Sequence, residues 1–214
     1  MLLIKNSFRN DTLTMSNLKQ SYYVAAALVA AELHKAMVVA KDISLTASNA
    51  KALALRAGSS AAGFRALTDF IDELAKKTIY TSRHVNTLAV EISKIASEAA
   101  RVSLAIEQFN LAYTKAQDAQ FADSIIPAKK RTEKLYDDMQ QRFSDLVWQL
   151  KSELDDIARE LRTGIVLSAM SRVEATQAGS QYEESLNTIA ENVALASDKI
   201  RQHVSLSQKS FENI

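Results

Sequence analysis

The chain has 214 residues with four glycines, one proline and no cysteine, where average usage would give roughly fifteen glycines and ten prolines. So few turn residues exclude most all-β and α/β designs; 47% apolar residues exclude a disordered chain, and the lack of cysteine excludes disulfides, thiolate metal sites and a cysteine nucleophile. With 26 basic and 25 acidic residues the net charge is +1, which gives no general field to draw nucleic acid or an anionic membrane.

In chain order, residues 1–14 show no clear period and are expected to be mobile. The longest apolar run, Tyr22 to Ala31, is ten residues and is closed by Glu32, half of what a membrane span requires. A first helical seam follows with steps of three and four: Leu18, Tyr22, Ala25, Val29, Glu32, Ala36, Val39, Ile43, Thr46, Ala50, Leu53 and Ala57. Gly58 then marks a helix end, because glycine takes left-handed angles cheaply, and the tip is placed at 58–63 with Gly63 at its far side.

A second helix is predicted from near Ser60 to Ala122. Its seam runs from Phe64 through Leu67, Ile71, Leu74, Thr78, Thr81, Val85, Leu88, Ile92, Ile95, Ala99, Val102, Ile106, Phe109 and Tyr113 to Ala116, and only the two threonines interrupt it. It stops before Pro127, whose missing N–H breaks a helix. A third seam takes Phe143, Val147, Leu150, Leu154, Ile157 and Leu161, and slips by one residue around Ile165 and Ala169, as a stutter would make it. Gly164 sits alone within it, a position that reads as close packing against a neighbour, and Trp148 reads as a packed edge residue. The second tip is placed at 179–182, at Gly179, followed by a fourth seam of Leu186, Ile189, Val193, Ala196 and Ile200.

Long helices of this kind need partners along their seams, and tight tips at Gly58 and Gly179 make antiparallel neighbours. The predicted architecture is an all-α, long antiparallel four-helix coiled-coil bundle built from two hairpins, residues 1–126 and 127–214, in one chain.

Aligning Gly58 with Gly179 superposes the two tips at a shift of 121 residues without gaps, so that Leu74-Ala75 falls on Leu195-Ala196. Both tips resemble the hairpin tip of the cytoplasmic signalling domain of bacterial chemoreceptors, the methyl-accepting chemotaxis proteins. The first carries the resemblance at Asn49, Ala50, Ala54, Arg56, Ala57, Gly58, Gly63, Phe64, Leu74 and Ala75. The second carries it at Val173, Glu174, Ala175, Ala178, Gly179, Glu191, Leu195 and Ala196.

In that family two chains each supply one hairpin. The resemblance therefore implies a pseudo-dimer: one chain supplying both hairpins, with tips that contact a histidine kinase, its adaptor or other chemoreceptors, and with self-association among the outcomes. It assigns tip contacts to Asn49, Arg56 and Glu174. The equivalents of these residues in the opposite hairpin are Met170, Gln177 and Leu53, and Lys41 and Arg162 stand where the family has an apolar contact. Glu183-Glu184 and Gln140-Gln141 do not match the placing and flanks of the family's methylated pairs.

No phosphate-binding glycine motif is present; Gly58-Ser59-Ser60-Ala61-Ala62-Gly63 follows a helix and lacks a lysine. His34, His84 and His203 complete no ligand set by spacing. The expectation is a cytoplasmic, non-enzymatic signalling or scaffold protein with no catalytic residue, cofactor or metal, no nucleic-acid partner and no transmembrane segment. Two alternatives stand beside it: a membrane-active or tethering, toxin-like bundle inserting Tyr22–Ala31, and a purely structural bundle.

Overall fold

The computed structural model describes the backbone of residues 2–212 and the side chains of residues 24–210. The chain is all-α. Four long helices follow one another: α1 (Leu2–Arg56), α2 (Ala62–Lys115), α3 (Ile126–Gln177) and α4 (Ser180–Glu212), and no strand occurs among the described residues. The expected mobility of 1–14 concerns residues whose side chains lie outside this description.

The first compact unit comprises, among the described residues, 2–27 and 88–150. Within it α2 ends at Lys115, seven residues before the predicted end. Residues 116–121 form successive turns, with Ala119 N donating to Ala116 O at 2.8 Å, and a 3-10 turn at Ala122–Ile125 leads into α3. Gln120 and Asp123 provide no apolar seam to hold a further helical turn. Pro127 is thus the second residue of α3, where the N–H it lacks would have no helical partner. Trp148 is 72% exposed rather than packed, because Leu146 and Leu150 on either side take the inward positions.

The second unit comprises, among the described residues, 28–87 and 151–212 and draws on all four helices. Its side-chain pairs fix how they run. Ser44 reaches Asp72 at 2.6 Å and Lys51 reaches Asp69 at 2.6 Å, so α1 and α2 ascend and descend against each other. Ser168 Oγ donates to Ala190 O at 2.9 Å, and Gln208 reaches Asp155 at 2.7 Å, giving the same sense for α3 and α4. Between α2 and α3, His84 lies 3.6 Å from Glu153, Lys77 bonds Glu160, and Gly63 lies under the Glu174 side chain. These contacts recur at multiples of seven residues on both helices, the spacing of a coiled-coil ladder. Between α1 and α4, His203 Nδ1 meets Glu32 Oε2 at 2.7 Å.

The seams close over a narrow core. In α2 every predicted seam residue from Phe64 to Ala99 is buried, including Thr78 and Thr81. Thr78 tolerates burial because its hydroxyl donates to Leu74 O at 2.8 Å. In α1 the buried column is Val29, Leu33, Ala36, Ala40, Ile43, Ala47, Ala50 and Ala54, so half of the predicted seam stands one residue early; Glu32, Val39, Thr46 and Leu53 are half-buried beside the core. In α3 there is no slip. The three-four spacing continues through Gly164, Ser168, Ser171, Ala175 and Ala178, and Ile165 and Ala169 face outward. Gly164 is a close approach: a β-carbon there would lie 2.8 Å from Leu74 Cδ2 and 3.0 Å from Ser197 Oγ.

Candidate functional site at the paired hairpin tips

Gly58 and Gly179 adopt φ of 72° and 88°, the left-handed region that glycine enters without steric cost. At the first tip Ala57 N closes on Leu53 O at 3.0 Å, Gly58–Ala61 forms one 3-10 turn, and α2 begins at Ala62. The second is tighter. Only Ala178 and Gly179 separate α3 from α4, and Tyr182 N and Glu183 N both return to Gly179 O, at 2.9 and 3.1 Å. Gly63 is not part of the turn; it is the second residue of α2.

The two tips touch. The Ser60 hydroxyl lies 2.9 Å from Ala57 O of its own hairpin and 3.3 Å from Ala178 O of the other. Beneath them Ala50, Ala54, Ala61, Phe64, Ala175, Ala178 and Leu186 form one buried cluster, with Leu53, Ala57, Tyr182 and Ile189 packed around it. Phe64 and Leu186 are the large side chains of the buried cluster, and the five alanines around them let the helix backbones converge. The result is a packed end-plate with polar groups on its outside.

The three predicted contact residues have different surroundings. Asn49 and Arg56 are exposed, and Arg56 makes no ion pair among the described residues. Glu174 is half-buried, and its carboxylate covers Gly63 so closely that a β-carbon there would collide with Oε2 and Cδ. It lies over the first turn of α2, where the helix dipole favours an anion. Gly63 therefore serves as the floor under Glu174. The tip surface carries both signs: Arg56 and Arg65 on the first hairpin, and Glu183, Glu184 and Glu191 lining an open depression on the second.

Sequence spacing missed the histidine–carboxylate pairs, since their partners lie on other helices. In the 121-residue register Glu153 occupies the place of Glu32, and each meets a histidine from the opposite hairpin. Hydrogen bonds from Lys35 and His203 hold Glu32 below its ordinary pKa. For Asp72, burial acts upward but is outweighed by hydrogen bonds from Lys76 and Ser44, so it too titrates low. Lys77 is raised by its bond to Glu160.

Among the described residues no group of three or more His, Asp or Glu side chains could hold a metal ion. Among them, too, no helix is long and apolar enough to cross a membrane. A groove of about 260 Å³ between α1 and α4 has Val39, Ile43, Val193 and Ala196 on its floor and Asp42 and Lys199 at its rim, without converging acid–base groups. Comparison of the chain with protein-family models, with curated proteins and with solved structures finds no match.

Proposed function

We propose that the protein is a non-enzymatic, chemoreceptor-like signalling or scaffold protein that engages chemosensory components through its paired tips. Asn49 and Arg56 are the contact residues, and a histidine kinase or its adaptor is the partner in the cytoplasm. The observation that carries the proposal is the contact of Ser60 with Ala178 O, which sets the two hairpin tips side by side in one chain. The resemblance at the first tip adds to it. A tip of this kind acts by presentation: a rigid end-plate holds an exposed guanidinium and carboxamide in fixed positions, so little ordering cost is left for binding.

The two hairpins are not equivalent, because Gln177 and Met170 stand where the first has Arg56 and Asn49. Only the first presents the full pair, and the protein would occupy a partner without the second equivalent face that a symmetric receptor pair offers. It would therefore compete with receptors rather than replace them. The membrane-active alternative gains less support, since Ala25, Ala26 and Val29 of its proposed inserting segment are buried.

Immobilised kinase and adaptor provide the test. Binding by the wild-type chain, weakened at least about tenfold by Arg56→Ala, is the expected outcome, since interface arginines commonly contribute at that level. Absence of binding, or binding indifferent to both Arg56→Ala and Asn49→Ala, would remove the proposal.

A further inference from the structure

The outward face of α3 is apolar where a bundle needs it to be polar. Val166, Met170 and Val173 are 57%, 51% and 60% exposed, and Ile165 is 44% exposed beside them. They recur at helical three- and four-residue spacing on the side opposite Gly164, Ser168 and Ser171. This stretch of α3 thus buries a face of small residues and exposes its larger apolar ones, while a surface helix of a bundle normally turns them inward.

Two further observations characterise the exposed face. First, α3 itself contributes no acid to it: between Glu160 and Glu174 the chain has Arg162 and Arg172, both exposed, and no carboxylate, whereas the preceding turns mix Asp155, Asp156, Arg159 and Glu160. Second, the fold does not require it. In the 121-residue register α1 has Ser44, Ser48, Asn49 and Ala52 in place of Ile165, Ala169, Met170 and Val173, and only Leu45 matches as a large apolar residue. Both compared stretches lie in the second unit, so packing alone does not select for the apolar residues on α3.

We infer that this face of α3, Arg162 to Val173, is a docking surface for an amphipathic helix of another protein whose apolar stripe is flanked by acidic residues. Charge decides between the candidate occupants. A second copy seated antiparallel on the same face sets Arg162 against Arg172, and a parallel one sets each arginine against itself, so like charges meet in both arrangements. A helix with acidic flanks instead pairs both guanidiniums at the rim while its apolar residues cover Val166, Met170 and Val173, the helix-in-groove mode of recognition. The inference goes beyond the tip proposal: neither Asn49 nor Arg56 lies on this face.

The test pans the full-length chain against a displayed library of helices that have a fixed leucine stripe and randomised flanks of Asp, Glu, Lys, Arg and Ser. Clones with acidic flanks should be enriched at least about tenfold. Val166→Asp combined with Met170→Asp should abolish the enrichment, and Arg162→Glu with Arg172→Glu should reverse it to basic flanks. All four positions are exposed, so an unchanged thermal melt serves as the folding control for each variant. Three results would each overturn the inference. One is enrichment that ignores flank charge or survives the double aspartate variant. Another is self-association in sedimentation that the double aspartate variant removes. The third is co-sedimentation with phosphatidylglycerol vesicles that the same variant removes.

Discussion

Individual glycines play opposite parts in this chain. Gly179 is chosen for its backbone: with φ of 88° and nothing within 4 Å of where a β-carbon would stand, alanine there meets only the left-handed strain of an L-residue. Gly164 is chosen for space, against Leu74 and Ser197. Gly179→Ala should therefore cost about 1–2 kcal/mol, and Gly179→Asn less, since Asn tolerates those angles. Gly164→Val should cost about 1–3 kcal/mol by overpacking, although it leaves glycine's poor helix propensity behind. Thermal unfolding followed by circular dichroism measures both; a Gly164→Val variant as stable as the parent would show that α2, α3 and α4 do not converge there.

Glu32 ties the stability of the α1–α4 contact to pH. Its pKa is lowered by Lys35 and His203, so its contribution to stability is complete above the unfolded carboxylate pKa and disappears as pH falls through the folded value. Glu32→Gln should be less stable than the parent at pH 7, and the two should converge below about pH 4. A gap that persists unchanged into acid would mean that the charge on Glu32 contributes nothing.

At the level of the helix, large residues made the pattern readable and small ones concealed it. The α2 seam is legible from Phe64 to Ala99 because Leu, Ile and Val mark it, and Thr78 fits within it because its hydroxyl is bonded to Leu74 O. In α1 five of the eight residues in the buried column are alanine, and a count that favours larger side chains selects Val39 and Leu53 over Ala40 and Ala54. The slip predicted in α3 has the same origin. Small residues occupy the true seam, with the Ser168 and Ser171 hydroxyls satisfied by Ala190 O and Leu167 O, while Ile165 and Ala169 imitate a seam on the outer face. That imitation is the face inferred to dock a partner helix.

Of the site, the glycine bends were readable because the backbone there demands glycine. The inward turn of Glu174 and the pairing of Glu32 with His203 were not, since each depends on which helix stands opposite. The connection 116–125 was misplaced because Pro127 looked like a terminator and is a helix-starting residue instead.

For the whole molecule the central claim is that one polypeptide brings both hairpin bends together. Within the second unit it is expressed by the Ser60–Ala178 contact and by Glu32 and Glu153, equivalent in the 121-residue register, each of which meets a histidine of the opposite hairpin. The absence of native cysteine permits a direct test. Nitroxide labels at Ser59→Cys and Gln177→Cys, both exposed positions, report the separation of the tips by pulsed dipolar spectroscopy. Helices packed about 8–10 Å apart, with two label arms added, predict a narrow distribution below about 30 Å. It should be unchanged when labelled protein is mixed with an excess of unlabelled chain. A long or broad distribution, or a short distance that disappears on dilution with unlabelled chain, would show that the hairpins pair between molecules and would contradict the account.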